Sequence, residues 1–124
     1  MNSKVALVAR GLLGLIFLVF GLNGFLQFMP QPPLPEGAMA FFTGLMAAKY
    51  LLPLMAGAQV LCGALLLANK KVPLALLILA PICLNILLFH IFLETSGLPV
   101  AVVIIVLGLI VAWDRKEAFR SVLA

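Results

Sequence analysis

Residues 5–28 read VALVARGLLGLIFLVFGLNGFLQF. One side chain in this run, Arg10, carries a charge. At about 1.5 Å of rise per residue, a helix of this length reaches about 36 Å, enough to cross a hydrocarbon layer of about 30 Å. Three further apolar runs follow, at 51–68, 73–93 and 98–113. The last is short and borrows Asp114 and Arg115 as an interfacial end. Backbone N–H and C=O groups find no water in lipid, so runs of this kind must form helices that satisfy their own hydrogen bonds. The expectation is an all-α membrane protein: a four-transmembrane-helix bundle that forms a single domain over residues 1–124.

Composition agrees. Of the 124 residues 65% are hydrophobic and 10% charged, and the mean hydropathy is +1.29. Twelve charged side chains cannot coat a soluble domain of this size, and two cysteines cannot staple a disulfide miniprotein. Eight basic residues against four acidic ones suit a bilayer with anionic headgroups better than nucleic acid.

The polar breaks carry helix punctuation. Pro32, Pro33 and Pro35 lack the N–H a helix needs. Pro73 and Pro99 suit the first turns of the third and fourth spans. The stretch from Ala38 to Tyr50 is mostly apolar and ends at Lys49. It reads as a short interfacial helix in the first outer loop, with Lys49 and Tyr50 at headgroup level. The alternative is one helix from Ala38 to Ala68, kinked at Pro53. Pro81, inside the third span, predicts a kink. The N-terminal run has no small-residue cleavage site after it, so it reads as a retained helix and not a signal peptide.

Four spans place both termini on one side. Lys4, Arg10, Lys70, Lys71, Arg115, Lys116 and Arg120 then share that side, and only Lys49 lies opposite. The excess of positive charge predicts cytoplasmic termini. Glu36 and Glu94 fall in the two outer loops.

Uncharged polar side chains within the spans are costly and therefore informative. Asn23, Gln27, Gln59, Asn85 and His90 all fall in the outer half when depth is counted along the helices. Asn23 with Gln27, and His90 with Glu94, are spaced for one helix face; Asn85 and His90 diverge by roughly 140°. Asn23, Gln59, Asn85 and His90 are the candidate ligand-binding residues of a small polar pocket open to the outer leaflet. Such a pocket suits a quinone headgroup, with His90 able to exchange a proton near neutral pH. The bland alternative makes the amides interhelical glue worth about 0.6 kcal/mol each. A lone axial His90 ligand to haem lacks a partner motif, so quinone is preferred over haem. No cluster of ligands predicts a metal site, and no catalytic residue is identifiable. Cys62 and Cys83 lie at similar depths, but helix azimuth leaves their proximity open; inert buried thiols are the simpler reading. Gly11, Gly14, Gly21 and Gly24 form a small-residue pattern suited to close helix packing.

Taken together, Arg10-Gly11-Leu12-Leu13-Gly14, Phe20-Gly21-Leu22-Asn23-Gly24-Phe25 leading to Pro35-Glu36, Leu84-Asn85-Ile86-Leu87-Leu88-Phe89-His90 and Gly97-Leu98-Pro99 resemble the DoxX family of small integral membrane proteins. The resemblance covers nearly the whole chain. It implies a four-helix bundle of the bacterial inner membrane, in a family that includes subunits tied to thiosulfate:quinone oxidoreduction and to membrane oxidative-stress complexes. By position, Asn23, Asn85 and His90 match recurring polar positions of that family. Bundles of the vitamin K epoxide reductase type are also similar, but they rely on cysteine pairs that this chain lacks.

Two functions follow as expectations. One is a subunit or accessory of a membrane redox system, quinone-linked or protective against oxidative stress, with a redox partner in the membrane. The other is a structural or assembly factor of a membrane complex without chemistry of its own. A weaker third, a permease, would need a homo-oligomer to line a path.

Overall fold

The computed structural model describes residues 3–26 and 34–123. Gln27, Phe28, Pro32 and Pro33, on which part of the reading of the first loop rests, lie outside the described residues. Four long helices carry the apolar runs: α1 (Ser3–Leu26), α3 (Leu51–Ala68), α4 (Val72–Phe92) and α5 (Leu98–Asp114). A shorter α2 (Glu36–Ala47) precedes α3, and α6 (Arg120–Leu123) follows a 3₁₀ turn over Lys116–Phe119. Among the described residues there is no strand. Each long helix has the length and apolarity to cross a bilayer. The chain is a multi-pass, all-α membrane protein built as a four-helix bundle.

Helix ends fall where local chemistry dictates. The break at residues 48–50 separates α2 from α3, which removes the alternative of one continuous helix kinked at Pro53. Lys49 there takes a left-handed backbone, φ 66°, and Pro53 sits in the first turn of α3, where a missing N–H is harmless. At the other end of α3, Asn69 turns left-handed, φ 56°. The amide of Lys70 then bonds the Leu65 carbonyl at 3.0 Å and that of Asn69 the Leu66 carbonyl at 3.3 Å, the paired bonds of a Schellman stop. α4 runs through Pro81 without interruption. A 3₁₀ turn at Thr95–Gly97 links it to α5.

Helices α1, α3, α4 and α5 pack in a ring, each against its two neighbours. α1 and α3 are the tightest pair. Gly14 approaches Gly63, Gly21 approaches Val60 and Ala56, and Gly24 approaches Ala56. As residue numbers rise on one helix they fall on the other, so the pair is antiparallel. Gly11 is not part of this seam: nothing lies within 4 Å of where its Cβ would be. It is turned about 60° from Gly14, on the side away from Gly21 and Gly24.

The apolar core is lopsided. Ala9, Leu13, Phe17, Cys62, Leu66, Val72, Leu79, Ile104 and Val111 form one buried cluster. These positions occupy the half of the bundle holding the start of α1, the end of α3, the start of α4 and the end of α5. That half also collects the basic residues and is termed the basic end. In the other half, the α2 end, no residue of α4 beyond Leu79 is fully buried.

Candidate functional site

The four candidates on the spans sit in the half away from the main buried cluster. Asn23, Gln59, Asn85 and His90 are each half-buried. No polar or charged side chain is fully buried among the described residues.

His90 has the most defined surroundings. Its Nδ1 lies 2.7 Å from the carbonyl oxygen of Ile86, one turn back on α4. A carbonyl can only accept, so Nδ1 carries the proton and donates it. Nε2 is then the nitrogen available to accept a proton, and it packs over Gly97, where a Cβ would collide with the ring. A side chain at position 97, the last of the 3₁₀ turn, would have to displace the imidazole. Glu94, one turn beyond His90, directs its carboxylate to Ser96: the Ser96 amide donates at 3.0 Å and the Ser96 hydroxyl donates to the same oxygen. The hydroxyl bond first, and the amide bond after it, hold the Glu94 carboxyl below the usual carboxylate range.

An aromatic group that the sequence did not single out adjoins this histidine. Phe41 and Phe42 of α2 meet Phe89 of α4 at ring distances of 5.1 and 5.4 Å, and Phe89 meets the His90 ring edge-on at 5.2 Å. Together with Gly37 against Leu93, these contacts bring α2 against the last turns of α4. The signal was present as an adjacent Phe41-Phe42 pair, but nothing in the sequence says which neighbour such a pair meets.

Two cavities lie elsewhere. One, about 230 Å³, is lined by Leu13 of α1, Leu76, Leu79 and Cys83 of α4, and Ile104 and Gly108 of α5, among other apolar residues. None of Asn23, Gln59, Asn85 and His90 lines it. Cys83 borders it and Cys62 is wholly buried; both are free thiols. The described residues contain no group of three or more His, Cys, Asp or Glu placed to hold a metal ion.

The second cavity, about 130 Å³, is polar and sits at the basic end. Ala6, Leu7 and Arg10 of α1, Asn69 after α3, and Val111, Asp114 and Arg115 around the end of α5 line it. Arg10 donates from Nη1 to the carbonyls of Leu66 and, at 3.4 Å, Leu67, the last turn of α3. Arg115 donates from Nη2 to Asn69 Oδ1 at 2.5 Å and pairs through Nε with Asp114 at 3.3 Å. Nearby, the Lys116 ammonium stands 4.2 Å over the Trp113 ring. Nothing in the sequence placed Arg10, Asn69 and Arg115 together; the fold makes them neighbours.

Comparison of the chain with protein-family models, curated proteins and solved structures returns no match.

Proposed function

We propose that this chain is a subunit or accessory of a membrane redox system, as its resemblance to the DoxX family implies. It would sit in a bacterial inner membrane with both termini cytoplasmic and anionic headgroups around its basic end. The observation that carries the reading is the half-buried layer of Asn23, Gln59, Asn85 and His90 in the half of the bundle away from the main buried apolar cluster. Half-buried amides and an imidazole within a span tend to face protein or ligand, since facing lipid is costly. With Nδ1 donated to Ile86, His90 would present Nε2 as the hydrogen-bond partner of a quinol hydroxyl. The flat rings of Phe41, Phe42 and Phe89 beside it suit stacking against a flat ligand.

The test is purification in mild detergent, followed by extraction of copurified quinone and a binding titration with a short-chain ubiquinone analogue. Saturable binding that weakens in His90→Ala and Asn85→Ala supports the reading. Absence of copurified quinone together with no saturable binding overturns it.

A second reading, a structural or assembly factor, draws support from a specific observation. His90 bonds its own helix and packs on Gly97, and neither cavity reaches the four candidates. Recovery of a stable larger complex from native membranes, together with no quinone binding, would favour it.

A further inference from the structure

We infer that the polar cavity at the basic end is a binding site for a phosphate-bearing anion, held between the guanidinium groups of Arg10 and Arg115. This does not rest on the redox reading, nor on which side of the membrane the basic end faces.

Charge balance is the first ground. Arg10 lies six residues inside the first candidate span, which begins at Lys4. A charged side chain at that depth is expensive unless it is partnered. Its partners are the neutral carbonyls of Leu66 and Leu67, and among the described residues no carboxylate lies within ion-pair distance of it. Arg115 shares the cavity and is offset by Asp114. The cavity wall therefore carries two guanidiniums and one carboxylate, a net charge of +1, with exposed Lys70 and Lys71 next to Asn69 along the chain.

Donor geometry is the second. The described bonds engage Nη1 of Arg10 and Nε and Nη2 of Arg115. Nε and Nη2 of Arg10 and Nη1 of Arg115 are left to donate to an incoming anion. Guanidinium forks match the spacing of phosphate oxygens, which a point-like ammonium does not. Asn69 is a positioning residue: its Oδ1 holds Arg115 against the cavity. A space of about 130 Å³ is well above what one water needs and leaves room for a tetrahedral oxyanion.

The surroundings are the third ground. Ala6, Leu7 and Val111 give the cavity an apolar side, and Leu7 is largely exposed at the span's end. A lipid headgroup phosphate could enter at the arginines while its chains continue along that apolar side. Basic pockets between transmembrane helices bind anionic headgroups in this way. A free phosphate group from the aqueous phase presents the same chemistry.

The experiment uses the full chain in a neutral detergent, titrated with phosphatidylglycerol or phosphatidylcholine, with bound lipid counted by native mass spectrometry. Wild type should retain phosphatidylglycerol over phosphatidylcholine. Arg10→Gln and Arg115→Gln should each weaken that retention about five-fold, the effect of one basic side chain on an anionic headgroup. Asn69→Gly keeps the left-handed turn and should weaken retention by less, because Arg115 is loosened but present. If Arg10→Gln does not fold, Arg115→Gln and Asn69→Gly decide. Lys49→Gln, at the opposite end, should leave retention unchanged. Displacement of bound phosphatidylglycerol by millimolar inorganic phosphate would identify the aqueous anion as the natural occupant, and resistance to it the lipid. Unaltered retention in Arg115→Gln, or an equal loss in Lys49→Gln, would overturn the site.

Discussion

Replacing Gly63 with alanine tests the seam on which the bundle is built. A Cβ at Gly63 would lie 2.5 Å from the Leu18 amide nitrogen, 2.7 Å from the Gly14 carbonyl oxygen and 2.9 Å from the Leu18 Cα. Ordinary contacts of this kind begin near 3.5 Å, so α1 must retreat by about 1 Å. All three obstructing atoms are backbone, and no rotamer change can relieve them. A radial gap of that size forfeits a quarter to a half of each dispersion contact along the seam. Overpacking in a well-fitted interior costs about 1–3 kcal/mol. With two rigid helices involved, the upper part of that range is expected, about 2–3 kcal/mol, or roughly a hundred-fold in the folding equilibrium. Gly11→Ala is the control: its Cβ meets open space, and alanine gains up to about 1 kcal/mol of helix propensity over glycine. Reversible unfolding in mixed micelles of a mild and a denaturing detergent, followed by circular dichroism, measures both. Gly14→Ala added to Gly63→Ala should cost less than it does alone, since the helices have already moved apart. A Gly63→Ala protein as stable as wild type, or one no worse than Gly11→Ala, would refute the account of the seam.

Three further outcomes follow from the α2 end and from the thiols. Gly97→Ala pushes against the His90 ring and should destabilise by about 1–2 kcal/mol; in a His90→Ala background most of that cost should vanish, which a double-mutant cycle measures. Because Ser96 holds the Glu94 carboxyl below its usual range, the turn is favoured above the usual carboxylate pKa and loses that contribution as pH falls through the lowered value. Carboxyl NMR should show Ser96→Ala moving the Glu94 titration upward, and an unmoved titration would remove Ser96 as the cause. A lipid-soluble thiol reagent should modify Cys83, at the edge of the α4–α5 cavity, faster than the wholly buried Cys62; equal rates by mass spectrometry would mean the cavity is closed.

What could be read from the chain was what depends on local spacing. The apolar runs sized the spans, so α3 begins at Leu51 and ends at Ala68 as expected, α4 is shifted by one residue at each end, and α5 runs one residue longer. The break before Leu51 was legible because Lys49, Tyr50 and Pro53 all disfavour a buried continuous helix there. Three of the four α1 glycines do pack against α3. What depends on azimuth or on long-range pairing was not legible. Depth grouped Asn23, Gln59, Asn85 and His90, but it could not say that the His90 ring bonds its own helix at Ile86. Nor could it say that Phe41 and Phe42 fold back over Phe89. The contact of Arg10 with Leu66 spans 56 positions, and no periodicity in the sequence encodes it.

That last contact bears on the order in which the chain is made. The first helix emerges from the ribosome before the carbonyls that receive its arginine exist. At about 5–20 residues per second, the 56 residues between Arg10 and Leu66 take several seconds to synthesise. Throughout that interval a guanidinium about 9 Å in from Lys4 is without its final acceptors. The last turn of α3 is then a latch on α1 that can close only after the second crossing has been made.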